Sequence, residues 1–297
     1  MKIVIIKEAG RHEANKEFRE ALNLNRALNR ILGVESIVWG LNYETFATPF
    51  SEIEVWADVI FIIENYTPYW LPTAEIANSK KLKIYWSIDS HYGGMVNQHI
   101  ELCRQYQIDI LLNSTESYLP MFNVDRKYWF PNSYPADLIQ PLNIEKIYDI
   151  GFCGNDRPEI HYLDKFNIKK DLFVIGNDMV KAINSYKIHF NKNIANDINY
   201  RTFETAGCRT MLLTNHTPGL EKLFKIGEEV VTYDNNDDLD YKVNYYLNNP
   251  LERIKIETAG YERVIKYHTY DSRVEQLINI INDKIITADK HAYCFTE

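Results

Sequence analysis

Short, continuous runs of Val, Ile and Leu recur along this chain with helix-length polar stretches between them, and no other feature limits its fold so strongly. Residues 3–6, 36–39, 59–63, 82–88 and 108–113 read as strands, and residues 14–32 (closed by Gly33) and 96–106 read as helices. A strand with one wet face alternates apolar and polar residues. A run that is apolar at every position is covered on both faces, as in a parallel sheet wound with helices. A second series follows the proline-bearing stretch Pro131-Asn132-Ser133-Tyr134-Pro135, which continues to Pro141 and reads as a linker. There, strands are expected at 148–154, 171–175, 187–190, 210–213 and 229–233. Helices are expected at 200–208, 219–225, 237–248, 251–267 and 272–286, the last long enough to cross back to the first domain.

A chain of 297 residues is too long for one typical core. The expected division is 1–140 and 141–275, each a Rossmann-like α/β domain, with 276–297 as a helix and tail packing on the first. Two doubly wound domains facing each other would place a central cleft at the carboxyl ends of both sheets.

Charge and cysteine spacing narrow the function. The net charge of −8 argues against a protein that coats nucleic acid, since phosphate contacts need clustered Lys and Arg. The opening Met1-Lys2-Ile3-Val4-Ile5-Ile6-Lys7 reads as a first strand, too short in apolar residues for a signal peptide. No run approaches 18 apolar residues, so no membrane span is expected. Cys103, Cys153, Cys208 and Cys294 are far apart with no CxxC spacing and read as buried thiols. These features together read as a cytoplasmic protein.

The segment with the most chemistry runs from Asn199 to Thr214. Arg201, Glu204 and Cys208 fall at i, i+3 and i+7 and share one face of a helix, while Phe203, Ala206 and Gly207 suit packing on a sheet. An arginine for phosphate beside a carboxylate for sugar hydroxyls is what a nucleotide-sugar site needs; the alternative is a solvated Arg–Glu pair.

From residue 148 to about 280 the chain resembles the nucleotide-binding domain of GT-B glycosyltransferases, more narrowly the group 1 enzymes related to spore-maturation-type proteins. The residues carrying the likeness are Asp149-Ile150-Gly151-Phe152-Cys153-Gly154-Asn155; Asn199, Arg201, Thr202, Phe203 and Glu204; and Thr214-Asn215-His216-Thr217-Pro218-Gly219-Leu220. They continue through Phe224, Gly227-Glu228-Glu229, Asp238-Leu239, Tyr245-Tyr246-Leu247, Pro250 and Tyr267-His268-Thr269-Tyr270-Asp271-Ser272-Arg273. The N-terminal half matches in architecture and in Tyr85-Trp86-Ser87-Ile88-Asp89. The resemblance implies transfer of a hexosyl or pentosyl group from a nucleotide-diphosphate sugar to an acceptor hydroxyl, with no cofactor and no obligatory metal. Family-4 enzymes carry two glutamates separated by seven residues. The second corresponds to Glu204, which would bind the donor ribose, while the first position holds Asn196. Arg209 stands where the family usually has glycine.

Read residue by residue, Arg201 is the candidate for stabilising the departing diphosphate. Gly151, Gly154, Asn155 and Arg157 form a loop whose amides could approach phosphate, or a plain turn. His189 ends a strand aimed at the ligand edge, or is a core histidine. Asn199 precedes the helix. Thr217, Gly219 and Leu220 open another helix that could hold an anion, or is merely well capped. In the first domain, Asp89 or His91 could deprotonate an acceptor, Asp89 also being a possible helix cap. His12, Glu64 and Tyr66 lie where an acceptor would sit, and Tyr69 and Trp70 could stack on a ring or belong to the core. The expected acceptor is a polysaccharide, a protein or, less readily for so acidic a chain, a DNA base. A nucleotide-sugar epimerase or hydrolase, or a non-catalytic binding protein, shares this architecture.

Overall fold

The computed structural model describes residues 1–10, 12–66 and 68–283. Arg11, Cys294 and the expected tail after residue 283 lie outside the described residues.

The chain divides into two compact units. In the first, strands β1 (Lys2–Ile6), β2 (Glu35–Trp39), β3 (Val59–Ile63), β4 (Leu82–Ser87), β5 (Ile110–Asn113) and β6 (Arg126–Trp129) form a sheet ordered β2-β1-β3-β4-β5-β6. Every pairing is parallel. Helices α1 (Glu20–Leu28), α2 (Phe50–Trp56), α3 (Thr73–Asn78) and α4 (Met95–Tyr106) connect the strands. The apolar runs at β1 and β3 are buried at nearly every position, as continuous hydrophobicity requires in a sheet covered on both faces. The expected helix over 14–32 is a 3₁₀ segment, Glu13–Phe18, followed by the shorter α1. Strand β6 was not expected: Arg-Lys-Tyr-Trp is half-exposed edge backbone without an apolar run.

The second sheet holds β7 (Tyr148–Gly154), β8 (Lys169–Leu172), β9 (Tyr186–Asn191), β10 (Met211–Asn215) and β11 (Val231–Tyr233) in the order β11-β10-β9-β7-β8, again all parallel. Its helices are α5 (Pro158–His161), α6 (Gly176–Asn184), α7 (Tyr200–Gly207), α8 (Leu220–Leu223), α9 (Asn236–Asn248) and α10 (Pro250–Tyr267). Helix α11 (Tyr270–Ile281) follows. Strand β8 stops before the expected 175 because Phe173 adopts φ +58°, which no strand can accommodate.

The unit boundary falls between Pro131 and Asn132, and the chain rejoins the first unit at Arg273. The proline stretch is therefore part of the second unit and not a free linker. Tyr134 is buried there, with its N–H on the His268 carbonyl at 3.2 Å and its ring against Gly207. From α11, Ile280 accepts a hydrogen bond from Arg126 at 2.7 Å within the first unit.

Gly151 corrects an expectation about the glycine loop. A Cβ there would lie 2.3 Å from the ring of the fully buried Tyr186, whose hydroxyl donates to Asp171. Gly151 makes room for a ring inside the sheet and is no phosphate cradle. Gly151→Ala is expected to cost about 1–3 kcal/mol, the usual penalty of overpacking, read as a lower denaturant midpoint.

Candidate functional site

Each sheet has one point at which successive connections leave in opposite directions, and in wound α/β sheets ligands bind at the carboxyl ends of those strands. In the second unit this point lies between β7 and β9, and in the first between β1 and β3.

At the β7/β9 edge, helix α7 brings in Arg201 and Glu204. The Arg201 guanidinium is ion-paired to Glu204 through Nη1, and its Nε donates to the Cys153 carbonyl at 3.1 Å. Nε is thus held against the end of β7 and Nη1 on Glu204 of α7 itself, and Nη2 is left without a protein partner among the described residues. The side chains keep 22% and 10% exposure, so the pair is neither a solvated surface bridge nor sealed in the core. Burial opposes the charge on Arg201, but Glu204 outweighs it and holds the guanidinium above its usual pKa.

His189 is fully buried beneath this pair. Its Nε2 accepts from the Cys153 N–H at 3.2 Å, so Nδ1 carries the proton and donates to Thr205 Oγ1 at 2.6 Å. Thr205 in turn donates to the Arg201 carbonyl at 2.5 Å. Burial, and then the nearby Arg201, lower the His189 pKa to about 3. His189 is therefore a neutral brace between β7 and α7, and the expectation that it touches the ligand is corrected.

The loop between β9 and α7 is built from asparagines. Asn191 and Asn199 exchange side-chain hydrogen bonds at 3.2 Å in both directions. Asn193 Oδ1 accepts from the Asn199 N–H at 3.1 Å, and Asn193 Nδ2 donates to Thr217 Oγ1 at 3.1 Å. Asn199 and Thr217 thus shape the loop. Asn196, at the position of the family's first glutamate, is exposed with φ +66°.

The expected anion site falls at the start of α8. That helix is a single turn in which the Gly219 N–H donates to Glu221 at 3.3 Å, the Leu220 N–H donates to the Thr217 carbonyl at 3.0 Å, and Leu220 is buried in the core. Gly154 ends β7, and Asn155 and Arg157 follow it, with Asn155 exposed and Arg157 half-buried. The Gly154 carbonyl accepts from the Phe173 N–H at 3.0 Å. Arg209 sits at the opposite, amino end of β10, exposed, at φ +52°, where a glycine would be unstrained.

At the β1/β3 edge of the first unit the groups are acidic and aromatic. Glu64 is buried, and its Oε2 accepts from the N–H groups of Ile88 at 2.5 Å and Asp89 at 2.8 Å. His99 Nε2 stands 3.6 Å from the same oxygen, while its Nδ1 pairs with Ser87 Oγ at 2.5 Å. Lys7 donates to the Glu64 carbonyl and lies 3.5 Å from Glu20. Tyr66 Oη is 3.5 Å from Asp89 Oδ2. Asp89 does not cap α4, whose N-cap is Gly94. His91 is half-buried in the same loop, and His12 is exposed beyond β1. Trp70 packs against Trp39 and Phe46, with ring centroids 5.8 and 5.5 Å apart, and belongs to the core.

Burial, and then the charge of Asp89, raise the Glu64 pKa to about 7, against Lys7 and the two backbone donors, while burial lowers His99 to about 4. Between about pH 4.5 and 7 the folded chain therefore holds a proton on Glu64 that the unfolded chain has lost. This group's stability contribution is complete below 4.5 and declines as pH rises through 7. Glu64→Gln mimics the protonated acid. It is expected to melt above the wild type at pH 8, with the difference vanishing near pH 4.5.

Sequence reasoning did not single out His99, Thr205, Asn191, Asn193 or Lys7. The density of asparagines at 191, 193, 196 and 199 is the sequence signal that could have found the loop. Cys103, Cys153 and Cys208 are buried free thiols. Among the described residues no group of acidic, His and Cys side chains is arranged to hold a metal ion, and no helix is long and apolar enough to cross a membrane.

The family described as glycosyl transferase-like matches residues 126–279. No curated protein matches by sequence. Among solved structures, HepE of Anabaena in complex with UDP-glucose has a TM-score of 0.68 at 10% identity, over 95% of this chain and 100% of that one. An alpha-glucosyltransferase in complex with UDP and a 13-mer DNA has 0.65 at 11%, over 95% and 100%. Sucrose-phosphate synthase of Thermosynechococcus elongatus has 0.64 at 11%, over 95% and 98%. At such identities these likenesses establish the fold, two Rossmann-like units of the GT-B class. With over half its length matched by the family and both sheets wound in that manner, the chain belongs to the glycosyl transferase-like family and is a GT-B glycosyltransferase.

Proposed function

We propose that the second unit binds a uridine-diphosphate sugar at the β7/β9 edge, without a resident metal, and that the sugar passes to an acceptor hydroxyl held by the first unit. The observation that carries this is the partly buried Arg201–Glu204 pair at the topological switch point, fixed by the Cys153 carbonyl. Arg201 Nη2 would bind the diphosphate. As the bond from the anomeric carbon to the phosphate oxygen breaks, its electron pair stays on the diphosphate, and a fixed guanidinium meets the growing charge without reorganisation. The new bond joins the anomeric carbon to the acceptor oxygen, whose proton the released diphosphate takes up. Glu204 would accept hydrogen bonds from the ribose hydroxyls.

Phe173 supplies the support for a base. It is 70% exposed, and a bulky residue at φ +58° is strained backbone, a cost that persists where it serves a function. Stacking a base on this ring suits its place beside Gly154. Uridine is favoured because HepE and the alpha-glucosyltransferase were both solved with UDP compounds.

A thermal-shift panel of nucleotides and nucleotide sugars tests the reading. At about 100 times its Kd, a ligand adds roughly 2.7 kcal/mol of stability. A uridine compound is expected to shift the wild type, in EDTA as well, and to lose most of the shift in Phe173→Ala. A panel in which no uridine compound shifts the melting temperature overturns it.

A further inference from the structure

We propose that the acceptor is itself a neutral saccharide, gripped at the β1/β3 edge between the exposed rings of Tyr66 and Tyr92, with Glu64 accepting a hydrogen bond from its hydroxyl. This rests on the transferase reading above and adds the acceptor's chemical class.

The first support is Glu64 itself. The residue is 4% exposed, and Oε2 is fixed by the Ile88 and Asp89 amides, while Oε1 takes no hydrogen bond among the described residues and is not one of the buried unpaired atoms, so it is open to solvent. The nearest ammonium, on Lys7, is turned to the Glu64 carbonyl and to Glu20 and does not neutralise that oxygen. A ligand hydroxyl can take the place of water at this oxygen, donating to it once the carboxyl is ionised above about pH 7. Behind it, His99 is fully buried with an Nε2 that has no hydrogen-bond partner.

The second support is aromatic. Tyr66 keeps 48% exposure and Tyr92 72%, one after β3 and the other after β4, with Asp89 beside Tyr66. The Lys7 ammonium lies 5.4 Å from the Tyr66 ring centroid and steadies that ring from within. Exposed rings at the same strand edge as carboxylates match a sugar, which offers C–H faces to aromatic surfaces and hydroxyl donors to carboxylates.

Charge separates this acceptor from a phosphate-bearing one. Glu8, Glu64 and Asp89 line the edge, while the described cations beside them, Lys7 and Arg19, are paired with Glu20. A nucleic-acid backbone requires clustered unpaired cations and would meet repulsion here.

The test applies the full chain, fluorescently labelled, to an array of neutral oligosaccharides, uronate-bearing oligosaccharides and duplex DNA. At least one neutral oligosaccharide is expected to bind. Tyr66→Ala and Tyr92→Ala should each weaken that binding about fivefold or more, the scale of a lost ring contact. Tyr92→Phe should restore it. Tyr241→Ala, an equally exposed tyrosine on α9, should bind as the wild type does. Binding confined to DNA or uronates, no saccharide binding at all, or tyrosine variants that bind undiminished would each overturn the proposal. A UDP-induced melting shift in the wild type, measured alongside, separates the two readings. With the shift present and saccharide absent, only the acceptor class fails; without the shift, the transferase reading fails.

Discussion

Arg201→Ala is expected to lower kcat by about 100- to 1,000-fold, the range for removing one preorganised donor from a developing oxyanion. The same change leaves Glu204, with 10% of its side chain exposed, without its cation. Removing one member of a buried pair costs about 3–5 kcal/mol when burial is complete, and the residual exposure of both groups places this case at the lower end. Arg201→Lys should recover the stability but not the rate. The three donors of an ammonium radiate from one nitrogen and do not span the Cys153 carbonyl, Glu204 and a diphosphate as the planar guanidinium fork does. Initial-rate kinetics with the donor found by thermal shift, together with denaturant melts of both variants, check this. A lysine variant at wild-type kcat would remove Arg201 from the chemistry.

His189→Phe is expected to cost about 3 kcal/mol and to weaken donor binding without any contact to the donor. Phenylalanine nearly fills the imidazole's space, but it leaves the buried Cys153 N–H without an acceptor and Thr205 without its donor. Each orphaned group costs about 1–3 kcal/mol. The acid limb of stability should change as well. The folded pKa of about 3 lies below the ordinary value of 6.5, so the unfolded chain takes up the proton first as pH falls. The stability this neutral imidazole contributes is complete above about 6.5 and drains away toward pH 3. In the phenylalanine variant that slope should flatten. Urea midpoints from pH 4 to 8 for both proteins measure it, and parallel curves would contradict the brace.

The parallel strands were legible because burial on both faces leaves no freedom in composition: every residue of β3 must be apolar, and every one is. Edge strand β6 was not, since a half-exposed edge accepts arginine, lysine and tyrosine and carries no periodic signature. Arg201 and Glu204 were legible on one helix face through spacing alone. That the pair is drawn against Cys153 was not, because 48 residues separate Arg201 from that carbonyl.

Glycine shows the same division. In sequence, Gly151 and Gly154 looked alike as members of a phosphate loop, and only the position of Tyr186, brought in by β9, makes the first a packing residue. Local pattern thus determined the α/β class, two parallel sheets and the chemistry carried by α7, since periodicity and side-chain type act over a few residues. The tertiary structure alone decided which polar groups are braces and which remain available. His189 is silenced by an amide 36 residues away, while Glu64 is held through one oxygen by amides 24 and 25 residues away. Hydrogen bonds that define a site are made by whatever the fold places within 3 Å, and separation along the chain leaves no trace of them.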